Sequence, residues 1–144
     1  MRFRPFLANF AFAGHNAHAP KHAYASLPDF YKHRLQTMAV ILNIDTSTSV
    51  CSTALTAEGM ILKHFEDFQG RNHAALLSGY IKACLDYARE KEMRLDAVAV
   101  SMGPGSYTGL RIGLSEAKGL AYALDIPMIG ISTLQLMVTH VMFD

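Results

Sequence analysis

The sequence predicts an α/β domain with a mixed five-stranded sheet, its elements in the order βββαβαβα. Three observations carry that prediction. Three strand-like runs follow one another between residues 39 and 68 through short linkers, as in an antiparallel meander. Two more runs, at 97–102 and 128–131, alternate with helical periodicity, the pattern of parallel crossover units. The least ordinary segment, Gly103-Pro104-Gly105-Ser106-Tyr107-Thr108-Gly109-Leu110-Arg111, lies at a strand-to-helix switch.

The elements follow in order. Ala39 to Ile44 is a near-continuous apolar run, as expected of a strand buried on both faces. It ends in the polar turn Asp45-Thr46-Ser47-Thr48-Ser49. Val50–Thr56 makes a second strand, Ala57-Glu58-Gly59 a turn, and Met60 to about Phe68 a third strand. Gly70-Arg71-Asn72 breaks the pattern. From His73 to Lys91 the apolar positions fall at helical spacing, with Asn72 as the N-cap. That apolar stripe is wider than one sheet face requires. Strand four covers Ala97–Met102, and the glycine loop leads into a helix from Thr108 to Leu124, stopped by Asp125-Ile126-Pro127. Met128–Ile131 is the fifth strand and Ser132 caps a third helix. Right-handed crossovers place the first two helices against one sheet.

A chain of 144 residues, 51% of them hydrophobic, supports one domain with a real core. Its net charge of +1 conceals an asymmetry. Residues 1–37 carry five basic residues against one acid, and residues 38–144 carry eight against eleven. The globular part is mildly acidic and has no polycationic stripe that would grip nucleic acid unaided. Cys51 and Cys84 belong to no CxxC or metal spacing, which fits a reduced, cytosolic compartment. No apolar run approaches the roughly 20 residues of a bilayer span, so a soluble, cytoplasmic protein is expected.

Residues 1–37 hold four of the seven histidines and three of the five prolines, without periodicity. They read as a disordered or non-native extension, with Met38 as the natural first residue of the domain at 38–144. A patch of Phe3, Phe6, Leu7, Phe10 and Phe12 near Ala17-His18-Ala19 has features of a signal or transit peptide, but Pro5 and Asn9 break it. Pro20 interrupts the histidines, and nothing fixes a metal-binding geometry.

Two segments carry possible chemistry. Asp45, Thr46 and Ser47 stand at the carboxyl end of the first strand, where open α/β sheets place ligands. They fit either a site for hydrated Mg²⁺ or phosphate, or a turn in which Asp and Ser oxygens satisfy local amides. The glycine loop is neither a Walker A loop nor a dinucleotide fingerprint, since its glycines fall at 103, 105, 109 and 113. Gly103, Gly105 and Ser106 fit an anion site or a structural turn. Ser106 and Thr108 are candidate caps, and Gly109 and Gly113 allow close approach of another backbone. Arg111 fits a phosphate contact or an ion pair with Asp45 or Glu116. No helical His pair and no Ser-His-Asp or Cys-His set can be assembled, so no metal, cofactor or catalytic residue is assigned.

Ile44-Asp45-Thr46-Ser47, Asn72-His73, Gly103 to Arg111, Ala117-Lys118-Gly119-Leu120-Ala121 and Ile126-Pro127 together closely resemble the bacterial TsaB (YeaZ) family. That family belongs to the glycoprotease-like (Gcp/Kae/TsaD) group of the actin-like ATPase superfamily. The resemblance covers residues 38–144 and implies a ribonuclease H-like, actin-like ATPase lobe. It implies a non-catalytic dimerisation subunit of the complex that makes threonylcarbamoyladenosine in tRNA. Such a subunit pairs with a TsaD-like paralogue, helps recruit a TsaE-like ATPase and meets tRNA only through the complex. Where TsaD carries an HxxxH metal motif, this chain has Thr133 and Met137, which cannot replace two imidazoles. The residues at 45–47 and around 103–111 then read as a vestigial phosphate site. The resemblance also implies pairing through the first two helices. Leu77, Tyr80, Cys84, Tyr87 and Ala88 on the first, with Gly113, Ala117, Leu120 and Ala121 on the second, are the expected contacts. A homodimer through the same helices is a variant of this reading. A complete TsaB has a second lobe, and only the first is expected here. The alternative is an actin-like ATP-binding phosphotransferase or ATPase lobe using Asp45 and the glycine loop.

Overall fold

The structure, a computed structural model, describes residues 39–69 and 73–143. The extension at 1–37, Met38 and the expected cap Asn72 lie outside the described residues. The elements are β1 (Val40–Asp45), β2 (Cys51–Ala57), β3 (Met60–Asp67), α1 (His73–Glu90), β4 (Ala97–Ser101), α2 (Tyr107–Leu124), β5 (Met128–Ile131) and α3 (Thr133–Phe143). They form one sheet in the order β3-β2-β1-β4-β5. β1–β2 and β2–β3 pair antiparallel, while β4 pairs parallel to β1 and to β5. This is the ribonuclease H-like arrangement that the resemblance implies, in the expected βββαβαβα order.

Local chemistry explains the joints. Glu58 and Gly59 both take positive φ, 49° and 76°, in the two-residue β2–β3 loop, as a type I′ hairpin turn requires. Both long helices end on a left-handed residue that is not glycine. Glu92 has φ 54° after α1 and Asp125 has φ 52° after α2. Met93 N–H then reaches Ala88 O at 2.9 Å and Ile126 N–H reaches Ala121 O at 3.0 Å, closing each helix. Asp96 ties β4 to the start of β1. Its carboxylate accepts from Val40 N–H at 2.7 Å, and its own amide donates to Val40 O at 2.8 Å.

The core lies on one face of the sheet. Val40, Leu42 and Ile44 of β1, Leu55 of β2, and Val98 and Val100 of β4 meet Leu77, Ile81, Cys84 and Ala88 of α1 and Ala117 and Ala121 of α2 in a single cluster. Each fully buried Leu or Val there contributes about 1.5–3 kcal/mol of transfer free energy. Strand alternation turns Asn43, Ala54 and Ala99 to the other face, where all three are also buried. The Asn43 amide nitrogen donates there to Ala54 O and Thr56 Oγ1, while its buried Oδ1 has no partner among the described residues.

Candidate functional site

The turn after β1 and the glycine loop before α2 grip each other. Asp45 Oδ1 accepts from Ser47 N–H at 3.0 Å and from Ser101 Oγ at 2.7 Å, which folds the turn inward and joins it to the end of β4. The Thr46 hydroxyl donates to Gly109 O at 2.7 Å, and Ser47 O accepts from Ser106 N–H at 2.7 Å. Ser106 caps α2 by accepting from Gly109 N–H at 3.3 Å.

The glycines make that approach possible. A Cβ on Gly105 would collide with the carbonyl of Ser47, one on Gly109 with the carbonyl of Thr46, and one on Gly113 with the Thr46 hydroxyl. Gly103, at φ +103°, uses its carbonyl to accept from Thr133 N–H at 2.9 Å.

Six of the seven residues expected at a phosphate site are therefore gathered together, at the carboxyl ends of β1, β4 and β5. Asp45 is 3% exposed, Thr46 0% and Ser47 2%. Asp45 Oδ1, the Thr46 hydroxyl and the Ser47 carbonyl are committed to the turn, Ser101 and the start of α2, whereas the buried Ser47 hydroxyl has no hydrogen-bond partner among the described residues. Arg111 stands apart and pairs with neither Asp45 nor Glu116. Its Nη1 donates to the Tyr107 hydroxyl at 3.1 Å, and its guanidinium lies 5.4 Å from the centre of that ring. Where the resemblance implies that TsaD has its HxxxH motif, Thr133 is buried at the start of α3 and Met137, one turn on, is half exposed. Among the described residues, no three His, Cys, Asp or Glu side chains gather in a metal-ligand cluster.

The expected helix interface needs correcting. Leu77, Cys84, Ala88, Gly113, Ala117 and Ala121 are buried in this chain's own structure, Gly113 against Thr46 and Ile44 and the other five in the core. The stripe of α1 is wide because that one helix covers both β2 and β3 and also touches α2. Tyr80, Tyr87 and Leu120 are half-buried. Tyr80 stacks on Phe65 with ring centres 5.1 Å apart, and Lys63 and Lys91 lie 5.4 and 5.8 Å from the Tyr87 ring.

What the two helices do present outward is an open groove of about 710 Å³. Ile81 of α1 and Ile112 and Leu120 of α2 make its apolar walls, and Arg111, Ser115, Gly119 and Ala123 line it at four-residue intervals along α2. Ser115 and Ala123 are absent from the sequence expectations, and Gly119 enters them only through the family resemblance. The signal was the four-residue row itself, which holds no large apolar side chain. Glu116, also in the groove, accepts from Ser78 Oγ across the two helices.

The cysteines are inert packing. Burial, with Asp67 and Asp45 adding repulsion, pushes the Cys51 thiol up to about 11. Burial also pushes Cys84 up to about 11, against a small opposing pull from Lys63 and a backbone hydrogen bond at Leu55. Neither thiol is a nucleophile at neutral pH. No helix among the described residues is long and apolar enough to cross a membrane.

Comparison with known proteins agrees with this geometry. The family model described as TsaD: tRNA N6-adenosine threonylcarbamoyltransferase matches residues 62–144. The tRNA threonylcarbamoyladenosine biosynthesis protein TsaB of Escherichia coli is 41% identical over 97 residues, 67% of this chain and 42% of that protein. TsaB of Bacillus subtilis is 36% identical over 95 residues, again 42% of its length. The solved structure of YeaZ from Pseudomonas aeruginosa superposes with a TM-score of 0.58 at 38% identity, covering 66% of this chain and 44% of that one. The chain thus spans about two fifths of the length of the curated relatives it matches. With its sheet order, its glycine loop and these relatives in agreement, the chain belongs to the TsaB (YeaZ) branch of the TsaD family.

Proposed function

We propose that this chain acts in tRNA threonylcarbamoyladenosine biosynthesis as a non-catalytic pairing lobe. It binds a TsaD-type paralogue through the outer surface of α1 and α2 and contributes to recruiting a TsaE-type ATPase. It meets tRNA only within that assembly, in the cytoplasm. The observation that carries this reading is the interlock of the two loops. Several groups that an actin-like ATPase would turn toward nucleotide are here spent on the turn itself, the end of β4 and the start of α2. Asp45 holds Ser47 and Ser101, Thr46 holds Gly109, and Ser47 holds Ser106. Thr133 and Met137 add to it, because a hydroxyl and a thioether four apart suit neither a hard nor a borderline metal.

For pairing, the support is the groove and its rim. Tyr122, 91% exposed one turn from Gly119, is a large aromatic with no role in the chain's own core. Such residues anchor protein interfaces. The test is co-expression with a TsaD-type chain. Affinity capture of one should bring down the other in stoichiometric amount, and Ala123→Arg, an exposed change that fills the groove without touching the core, should abolish capture. Failure of the wild-type chain to pair overturns the reading, as does stoichiometric Mg-ATP binding by calorimetry that Asp45→Ala removes.

A further inference from the structure

Resting on that pairing reading, we infer that the α1–α2 groove selects a partner helix carrying a large apolar side chain and, about 12 Å away along its axis, a carboxylate. The apolar side chain enters the space over Gly119, and the carboxylate meets Arg111. Both positions lie on the same four-residue row of α2, eight residues apart. At 1.5 Å rise per residue that is about 12 Å, so the matching partner residues lie seven or eight apart on one face of a helix.

Each end of the groove has its own chemistry. At Gly119 a Cβ would meet nothing within 4 Å, so the backbone of α2 is laid open there between Ser115 and Ala123. Ile81, Ile112 and Leu120 beside it supply apolar walls. A knob from a facing helix fits such a hole in the way ridges enter grooves. At the glycine-loop end the one cation lining the groove, among the described residues, is Arg111. It donates one N–H to Tyr107 and lies against that ring, which leaves further N–H donors unused by Tyr107. Among the described residues no carboxylate lies within ion-pairing distance of it. Glu116, the acid nearest in the groove, already accepts from Ser78. The charge unmet inside the groove is therefore positive, and a partner carboxylate complements it in the bidentate manner arginine favours.

The experiment measures the affinity of the 144-residue chain for the TsaD-type chain, wild type against Gly119→Leu and Arg111→Glu, at low and high salt. Thermal melts accompany each variant. Gly119→Leu should melt at or above wild type, because leucine is the better helix former and has open space to occupy. Both variants should weaken pairing by at least about tenfold, the loss typical of a central interface residue. Wild-type affinity should fall with salt, and Arg111→Gln should remove most of that dependence. If wild type pairs and the two variants pair equally well, the groove inference is overturned while the pairing reading stands. If wild type does not pair, the reading fails and takes the inference with it. A self-dimer that the same substitutions dissolve, without binding to the TsaD-type chain, overturns it in favour of a second copy as occupant.

Discussion

Gly109→Ala and Gly119→Ala are the same chemical change on the same helix, and the structure gives them opposite signs. A methyl on Gly109 would overlap the carbonyl oxygen of Thr46, so the start of α2 must retreat by about 1 Å to restore contact distance. Two bonds cross that gap, Thr46 Oγ1 to Gly109 O and Ser106 N–H to Ser47 O, both 2.7 Å. Lengthened by about 1 Å, neither remains a hydrogen bond. The Thr46 hydroxyl is fully buried, and stranding such a group costs about 1–3 kcal/mol each. Alanine's advantage over glycine in a helix returns at most about 1 kcal/mol. Two such groups cost about 2–6 kcal/mol together, so the net loss is about 1–5 kcal/mol, a fall in Tm of at least about 4 °C for a domain of this size. At Gly119 nothing opposes the methyl, and stability should rise by about 0.5–1 kcal/mol. Thermal melts followed by circular dichroism, with urea titrations for the free energies, measure both. Equal signs, or a Gly109→Ala protein as stable as wild type, would show that the two loops are not in contact, and the interlock would have to be abandoned.

Two other outcomes follow from the same geometry. Asp45→Ala removes the acceptor shared by Ser47 N–H and Ser101 Oγ, both buried, and should lower the unfolding free energy by about 1–3 kcal/mol per stranded group in urea titrations. It should leave the calorimetric response to Mg-ATP as flat as in wild type. The thiols give a pH signature. Folding raises Cys51 and Cys84 from 9.0 to about 11, so the stabilisation is complete below pH about 9 and is lost as pH rises toward about 11. A Cys51→Ala/Cys84→Ala protein should show a shallower decline in urea midpoint across that window than wild type. In wild type, alkylation at mildly alkaline pH should await unfolding; rapid labelling of the native protein would contradict the burial of both thiols.

Much of the fold was legible in the sequence because its signals are local. Continuous apolar runs bounded by polar turns mark β1, β2 and β4, and every observed strand lies within a residue or so of its expected span. The spacing of Gly109 and Gly113 announces a close backbone approach, but not its target. Thr46 lies 63 positions before Gly109, and only the parallel pairing of β1 with β4 brings the two together. The helix stripe misled for a related reason. Periodicity tells which face of α1 is apolar, not how many strands it must cover, so surplus width that serves β2 and β3 looked like surface for a partner. The reverse error hid the groove, since a row of Arg111, Ser115, Gly119 and Ala123 reads as a polar, small-residue face until α1 is placed beside it. Arg111 was misplaced because an ion pair with Asp45 or Glu116 fits the spacing. Ser101 and Ser78 had already taken those carboxylates.

We propose above that this chain binds a partner and does no chemistry of its own. Sedimentation of the 144-residue chain mixed with a TsaD-type chain, with Mg-ATP titrated into the 144-residue chain alone in parallel, tests both halves at once. A one-to-one complex, dissolved by Ala123→Arg, and no binding heat from nucleotide are expected. Two independent species in the centrifuge, together with stoichiometric nucleotide binding that depends on Asp45, would contradict the proposal.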